Sequence, residues 1–286
     1  MKYFFQIADI KFVIITNFVV KWHPIIIKFL VDNDKDFNYS YHIYTCDELP
    51  NLYGQLMYEA ANQKIYKNGN LESRVYFLPL YHYPMMIYQE LDDIHRNIYV
   101  LNDYVENICR PKSFSIFNAL SAEKMFIKYD SFILHSSFII YNNYAILFTA
   151  PSGTGKSTQA YLWAKYKDAK IINEDRTLIK KEKNVWYGYG IPISGSSNIC
   201  MNERAPIKAV IYLSQYEENI IKKLSISVAI KRLISETTIN FWNTDFLNHV
   251  ISLIEDFSCS IPIYHLSCKK DEDSVNTLFK ILEENI

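Results

Sequence analysis

The sequence has few glycines, few cysteines and no excess of charge of either sign. Only 7 of its 286 residues are glycine and 5 are cysteine. The cysteines are odd in number and form no C-x-x-C pair, so they are typical of reduced thiols in a cytoplasmic protein, not of a disulfide framework or a zinc site. Thirty basic and thirty-one acidic side chains give a net charge of -1. This balance argues against nucleic-acid and anionic-membrane partners, since proteins that bind them carry a basic excess.

The sequence also lacks a convincing membrane span. Residues 131–155 carry no charge, and their length alone would suit a transmembrane helix. The stretch contains His135, the Asn142–Asn143 pair and several serines, however, so we expect two buried strands joined by a hairpin. Asp9 and Lys11 interrupt the apolar N-terminal run and no small-residue cleavage site follows, so no signal peptide is expected.

What the first part of the chain does contain is aromatic and β-branched patterning, within a total of 23 Tyr and 17 Phe. Residues 1–110 are interpreted as a β-rich N-terminal module without a recognisable catalytic motif, and we hypothesise that it takes part in substrate recognition. Alternating residues predict strands over 1–20, and Asn68–Gly69 predicts a hairpin turn. Residues 52–61 predict a short helix. Structural roles are expected for the histidines of this module, which lack metal-ligand spacing: His23, His42, His82 and His95.

The remainder, residues 111–286, predicts alternating helices and strands. Helices are expected at 113–129, 157–166, 227–237, 246–257 and 274–284, and strands at 132–141, 144–149, 169–173, 177–180, 185–189, 209–213, 220–224 and 263–266. The whole chain is therefore predicted to be α/β (α+β), in two domains with a boundary near Arg110–Pro111.

The most specific motif is a phosphate-binding loop (P-loop) at residues 150–158, which read A-P-S-G-T-G-K-S-T. The loop matches G-x-x-x-x-G-K-[ST] with Ala150 in place of the first glycine, and it has the strand before it and the helical pattern after it that the motif requires. Lys156 is expected to reach the outer phosphates and Ser157 to bind Mg²⁺. The alternative, a small-residue turn that happens to contain lysine, is disfavoured by this context. The predicted nucleotide-binding residues are Pro151, Ser152, Gly153, Thr154, Gly155, Lys156, Ser157 and Thr158.

A pair of adjacent carboxylates, Glu174 and Asp175 (the acid pair), forms the second motif. Asp175 follows Lys156 by nineteen positions and comes directly after the apolar strand predicted at 169–173. Phosphoryl transfer to a hydroxyl needs one carboxylate for Mg²⁺ and a base for the hydroxyl proton, and two adjacent acids can divide these tasks. The spacing allows one helix and one strand after the loop, so the strand before the acid pair is expected to lie next to the loop strand. The alternative is a polar turn with surface acids.

In this order the motifs resemble the catalytic domain of HPr serine kinase/phosphorylase, a group structurally akin to phosphoenolpyruvate carboxykinases. The resemblance extends to HPr-kinase-like proteins often found beside peptide-modification genes. It covers about half of the chain, from residue 132 to the C-terminus, and implies an HPr-kinase-like P-loop core with a mixed sheet. The residues that carry it are His135, the P-loop, the segment 172–176, the glycine-rich segment 187–192 and the segment 205–210.

The resemblance implies a role for individual residues. Glu174 matches the proton acceptor of the family, which is an aspartate in HPr kinases. Asp175 matches the second acid of the family's pair, which binds the metal together with the residue that Ser157 matches. His135 matches a histidine near the transferred phosphate; its alternative is an ordinary histidine of a buried strand. The metal-binding glutamate that HPr kinases carry after the second hairpin is not found.

Two arginines are candidates for neutralising charge on the transferred phosphoryl group, as an arginine can in this chemistry. Arg204 precedes Ala205–Pro206, in a region expected to be a mobile loop, and is the first candidate. Arg176, directly after the acid pair, is the second. For both, the alternative is an ion pair with a carboxylate.

Together these features predict a kinase that depends on ATP and Mg²⁺ and phosphorylates a Ser or Thr hydroxyl of a small protein or peptide, such as a ribosomal-peptide precursor. Two alternatives stay open: a kinase for a small molecule such as free serine, and a regulator that binds ATP without transferring phosphate. A phosphoenolpyruvate carboxykinase is disfavoured, because those enzymes are longer and need further basic residues and metal ligands. The oligomeric state is open, a homo-oligomer included.

Overall fold

The computed structural model describes residues 1–32, 36–77, 83–104, 117, 119–193, 195 and 198–283. Helices and strands are mixed, and the chain divides into two compact units, Met1–Ala122 and Glu123–Ile286. The predicted boundary at Arg110–Pro111 and the prediction for His82 lie outside the described residues. Within these ranges, no helix combines the length and apolar character that crossing a membrane requires.

The first unit is built on a nine-stranded sheet with the order β3-β1-β2-β4-β9-β8-β7-β6-β5. Neighbouring strands are antiparallel except for β4, which is parallel to β2 and to β9. Phe5 and Phe12 stack at 5.3 Å, and Trp22 and Phe117 meet Phe5 edge-on. The elements are β1 (Lys2–Ile7), β2 (Ile10–Thr16), α1 (Pro24–Ile27), β3 (Leu30–Val31), β4 (Tyr39–Cys46), β5 (Gln55–Ala60), β6 (Gln63–Asn68), β7 (Leu71–Phe77), β8 (Pro84–Glu90) and β9 (His95–Leu101).

The β-rich character and the hairpin predicted for this unit are confirmed. Gly69 lies between β6 and β7 with φ +59°, a conformation that glycine adopts without strain. The helix predicted over 52–61 is wrong. Gln55–Ala60 within it form β5, because pairing with β6, with one register shift between Leu56 and Tyr58, gives their backbone hydrogen-bond partners, whereas a short isolated helix is only marginally stable. His95 has a structural contact, with Nδ1 2.8 Å from Asp92.

The second unit carries helices on both faces of an eight-stranded sheet. One hydrophobic cluster includes Leu233 and Phe257 from helices on one face, and the other includes Trp163 and Leu278 from helices on the opposite face. The elements are α2 (Ala122–Ile127), β10 (Ser131–Tyr141), β11 (Tyr144–Thr149), α3 (Lys156–Lys167), β12 (Lys170–Asn173), β13 (Arg176–Glu182), β14 (Val185–Gly190), β15 (Arg204–Gln215), β16 (Ile220–Lys223), α4 (Ile226–Glu236), α5 (Thr244–Ser260), β17 (Ile263–Cys268) and α6 (Glu272–Glu283).

The strand order of this unit is β11-β10-β13-β14-β15-β17-β16, with β12 attached to β10. Because β11 also pairs with β15, the strands β11, β10, β13, β14 and β15 close a ring. The strands β11, β15 and β17 run parallel, so their carboxyl ends share one edge of the sheet. In an open parallel sheet this is the edge where ligands bind. The P-loop leaves β11 at this edge.

Most elements predicted for this unit are confirmed, with shifted ends. The Asn142–Asn143 turn joins β10 to β11 with positive φ at both residues, as a tight hairpin requires. The strand predicted at 209–213 is longer, because β15 pairs with β14 at its start and with β11 and β17 further along. The helix predicted at 113–129 is interrupted: Phe117 and Ala119 are helical, a turn follows at Leu120–Ser121, where Ser121 has φ +51°, and α2 comes after it.

The position predicted for the acid strand is wrong. β12 pairs with β10 and not with the loop strand, because both edges of β11 are occupied by β10 and β15. β12 and β13 follow one another along the same edge of β10, opposite Phe138–Ile140 and Ser131–His135. The acid pair lies at the break between these two strands.

Candidate active site

The P-loop has the backbone geometry of a phosphate cradle. Gly153 has φ +80° and Gly155 has φ +119°, values that a residue with a Cβ rarely adopts. Gly155 directly precedes α3, and no side-chain hydrogen bond caps this helix terminus among the described residues. The N–H groups of the first turn are therefore directed at the loop, where the positive end of the helix dipole favours an anion.

Lys156 is buried and points back into the loop. Its Nζ donates to the carbonyl oxygens of Ala150 at 2.8 Å and Pro151 at 3.4 Å. Burial lowers the pKa of Lys156, and the negative charges of Glu236 and Asp175 partly oppose that effect. The ammonium group thus lies where the loop, the acid pair and α4 converge.

Asn173 holds the turn that presents the acid pair. The residue is fully buried, and its Nδ2 donates to the carbonyls of Ile191 at 2.9 Å and Ile193 at 3.0 Å. Its Oδ1 accepts from the backbone N–H groups of Asp175 at 2.9 Å and Arg176 at 3.1 Å. Sequence reasoning missed this role, although an asparagine that ends a buried strand favours this kind of turn.

The acid pair and the start of the P-loop flank β10 at the same level. Ser136 pairs with Thr149 on one edge of β10, and its N–H donates to the carbonyl of Asp175 at 3.0 Å on the other. The neighbouring Ser137 Oγ donates to the carbonyl of Glu174 at 3.0 Å. Strands lie about 4.8 Å apart, so the two backbones are separated by roughly 10 Å. Side chains and a phosphate chain can span that distance.

Glu174 is a buried carboxylate with unused hydrogen-bonding capacity. The residue is 5% exposed, and its Oε1 has no hydrogen-bond partner among the described residues. A buried polar atom left in this way costs about 1–3 kcal/mol. A catalytic or ligand-binding role is a recognised reason for a protein to keep such a group.

Asp175 belongs to a cluster of charges with His135 and Glu236. Nε2 of His135 lies 3.5 Å from Asp175 Oδ1, and Nδ1 of His135 lies 3.2 Å from Glu236 Oε2. Arg176 Nε lies 3.6 Å from Asp175 Oδ2. Burial raises the pKa of Asp175, but the hydrogen bond from His135 and the positive charges of Arg176 and Lys156 outweigh it and hold the pKa below its ordinary value. Asp175 is therefore a carboxylate at neutral pH.

Glu236 is a site residue that sequence reasoning missed. It is buried in the last turn of α4, and the chain directly after it is fixed to β10 by the bridge between Thr237 and Leu134 and by the bond from Thr238 N to Ile133 O. A signal was present in the sequence. A carboxylate in the last helical turn opposes the helix dipole, so its position there indicates another purpose.

The predicted catalytic residues Lys156, Asp175 and His135 come together, whereas Arg204 lies elsewhere. Arg204 pairs with Glu182, donates to Tyr189 Oη at 2.6 Å and lies over the ring of Tyr187. It also begins a strand rather than a loop and precedes Tyr212, the partner of Thr149, by eight positions. At about 3.3 Å per residue this is roughly 26 Å along β15. Arg176 is thus the arginine next to the acid pair.

The predicted magnesium ligands, Asp175 and Ser157, have oxygen donors of the kind that Mg²⁺ prefers. No group of three or more His, Cys, Asp and Glu side chains that could hold a metal ion exists in the described ranges. Mg²⁺ commonly binds one or two carboxylates together with substrate phosphates and water. Asp175 and the Ser157 hydroxyl supply donors of this chemical type, beside a helix terminus suited to phosphate.

Comparisons with known proteins add little to this geometry. No family model matches the sequence, and no curated protein matches it. Among solved structures, an Hpr(Ser) kinase/phosphatase from Coxiella burnetii is similar at a TM-score of 0.30 and 13% identity, over 54% of this chain and 88% of that one. A similarity this low carries no argument about activity.

Proposed function

We propose that the protein is an ATP-dependent kinase that transfers the γ-phosphoryl group to a Ser or Thr hydroxyl of a small protein or peptide. The observation that carries the proposal is the buried carboxylate of Glu174, with its unpartnered Oε1, one strand away from a P-loop. A nucleotide-binding loop alone supports only binding. A buried carboxylate with a free acceptor oxygen, one strand away from the loop, supplies the base that a hydroxyl acceptor needs.

The donor side of the site consists of the P-loop and Lys156. The backbone N–H groups from Gly153 to Ser157 bind phosphate oxygens, and the dipole of α3 stabilises their charge. Lys156 leaves its bonds to the loop carbonyls and reaches the outer phosphates. Arg176, which lies beside Asp175, neutralises charge that develops on the transferring group.

The acceptor side consists of Glu174. The acceptor hydroxyl oxygen forms a bond to the γ-phosphorus while its proton passes to the Glu174 carboxylate. The bond between the γ-phosphorus and the bridging oxygen breaks, and its electron pair leaves with ADP. Asp175 and Ser157 would hold Mg²⁺, which would neutralise phosphate charge. His135 orients Asp175 through the contact between Nε2 and Oδ1.

The class of acceptor follows from the resemblance to HPr-kinase-like proteins found beside peptide-modification genes. Small proteins and peptides encoded near the gene are therefore the first acceptors to test. Free serine is the matched small-molecule acceptor, because it presents the same hydroxyl without a peptide.

The test is to incubate the protein with Mg-ATP and each acceptor, and to measure by mass spectrometry a gain of one phosphate. We expect transfer to a peptide or small protein, loss of nearly all transfer in Lys156→Ala, and a decrease of roughly two to four orders of magnitude in Glu174→Gln with nucleotide binding preserved. Glu203→Gln is the matched control, because Glu203 is a half-exposed partner of Lys170.

The outcomes separate the alternatives. Transfer to free serine and not to peptides would make the protein a small-molecule kinase. ATP binding without transfer to any acceptor would indicate a regulator. Undiminished transfer by Glu174→Gln would remove Glu174 as the base.

A further inference from the structure

A cavity adjoins the P-loop on the side away from the acid pair. Its volume is about 560 Å³, within the usual range of roughly 300–1,000 Å³ for small-molecule sites. One wall is the loop segment Pro151–Thr154. The opposite wall comes from the end of β15, from α4 and from β17: Tyr212, Leu213, Ser214, Gln215, Arg232 and His265.

The position of the cavity follows from the strand order. β11 lies between β10 and β15, and the acid pair lies beyond β10. The cavity lies on the β15 side of the same loop. A phosphate chain bound along the loop therefore has the acid pair at one end and the cavity at the other.

The cavity wall presents flat groups that lie close to one another. The guanidinium of Arg232 lies 4.8 Å from the ring centre of Tyr212, and the His265 ring meets Tyr212 at 5.9 Å with an interplanar angle of 64°. Arg232 also donates from Nη1 to Tyr212 Oη at 3.4 Å. Nucleobases stack on aromatic side chains and on arginine planes.

Polar groups connect this wall to the loop. Gln215 Nε2 donates to the carbonyls of Gly153 at 3.3 Å and Thr154 at 3.2 Å. Ser214 Oγ lies 2.9 Å from His265 Nε2. Hydroxyl, amide and imidazole groups can exchange hydrogen bonds with a ribose or with the edge of a base.

We propose that this cavity holds the base and ribose of the nucleotide, with the base against Arg232 and His265, while the P-loop holds the phosphates. The inference rests on the proposed function, because it assigns the nucleoside part of the same donor. It predicts that the protein distinguishes ATP from inorganic tripolyphosphate, which carries the phosphates and lacks the nucleoside.

The experiment measures the affinity of the full chain for Mg-ATP and for Mg-tripolyphosphate by calorimetry. Arg232→Ala and His265→Ala should each weaken ATP about 5- to 100-fold, the range found for lost base stacking, and leave tripolyphosphate affinity unchanged. Lys156→Ala should weaken both ligands. Lys231→Ala is the matched control, because Lys231 is the exposed neighbour of Arg232 on α4 and does not line the cavity.

Equal affinity of the wild-type protein for the two ligands would overturn the inference. So would equal weakening of both ligands by Arg232→Ala and His265→Ala, with far-ultraviolet circular dichroism of each variant showing that it is folded. Failure of the kinase proposal looks different: selective binding of ATP would persist without transfer to any acceptor.

Discussion

Glu236 Oε2 lies 3.2 Å from Nδ1 of His135, although the two residues are 101 positions apart in the chain. The contact leaves Nε2 of the same ring directed at Asp175. One helical turn before Glu236, on the same face of α4, Arg232 lines the cavity beside the P-loop. A single face of α4 thus contributes to both ends of the proposed donor site.

Glu236→Ala should lower kcat for phosphoryl transfer by up to roughly 100-fold, the scale of a misplaced catalytic group. The reason is that His135 loses the carboxylate that orients its ring towards Asp175. Glu236→Gln, which keeps an oxygen acceptor for Nδ1, should recover part of the rate. The measurement is steady-state kinetics, with nucleotide affinity determined separately. Equal rates for the wild-type protein and Glu236→Ala would show that the contact is only structural.

Arg176→Ala should lower kcat by about three orders of magnitude, the lower end of the range for arginines that neutralise a transferring phosphoryl group. Arg204→Ala should leave the rate unchanged, because Arg204 pairs with Glu182 away from the P-loop. Its half-exposed ion pair contributes at most about 1 kcal/mol to stability. Kinetic constants and urea denaturation of the two variants check this. The opposite ranking of the rates would restore Arg204 as the transfer residue.

Asn173→Ala should destabilise the second unit by about 3 kcal/mol, since its loss leaves buried hydrogen-bonding groups without partners on both sides of the turn. Transfer should fall as well, because the same amide oxygen fixes the backbone of Asp175 and Arg176. Denaturation followed by the fluorescence of buried Trp163 and Trp186 measures the change. A variant with wild-type stability would contradict the role given to Asn173.

Gly190→Ala should destabilise the protein by more than about 3 kcal/mol, beyond the usual cost of overpacking. An added Cβ would lie 2.0 Å from the carbonyl oxygen of Met201 and 3.0 Å from Ile172 Cγ2. Gly195→Ala is the control, because its Cβ would make an ordinary contact of 3.7 Å with Asp175 Cβ. Thermal unfolding of both variants measures the difference in stability. Similar melting temperatures for the two variants would refute the steric argument.

The sequence was sufficient for features that neighbouring residues determine. The P-loop is specified by Gly153, Gly155 and Lys156 between an apolar strand and a helix, and the hairpin by Asn142–Asn143. The backbone conformation at these positions is determined by the residues themselves and their neighbours, and it does not depend on distant parts of the chain.

Features that depend on pairing between distant segments could not be predicted in this way. β12 lies on β10 because β15, which comes later in the chain, occupies the free edge of β11. The contact between His135 and Glu236 depends on where α4 ends above β10. The segment 52–61 forms a strand because of its partner, β6. In each case the deciding contact comes from outside the segment.

The parallel pairing of β11 with β15 orders events during synthesis on the ribosome. The segment that contains the whole P-loop leaves the ribosome well before Tyr212, which pairs with Thr149. Until β15 has been synthesised, one edge of β11 has no strand partner. The loop then also lacks the hydrogen bonds that Gln215 donates to the carbonyls of Gly153 and Thr154. A nascent chain can therefore display the complete P-loop sequence before the site proposed for the nucleotide has formed. The proposed binding of ATP requires that the ring of strands has closed.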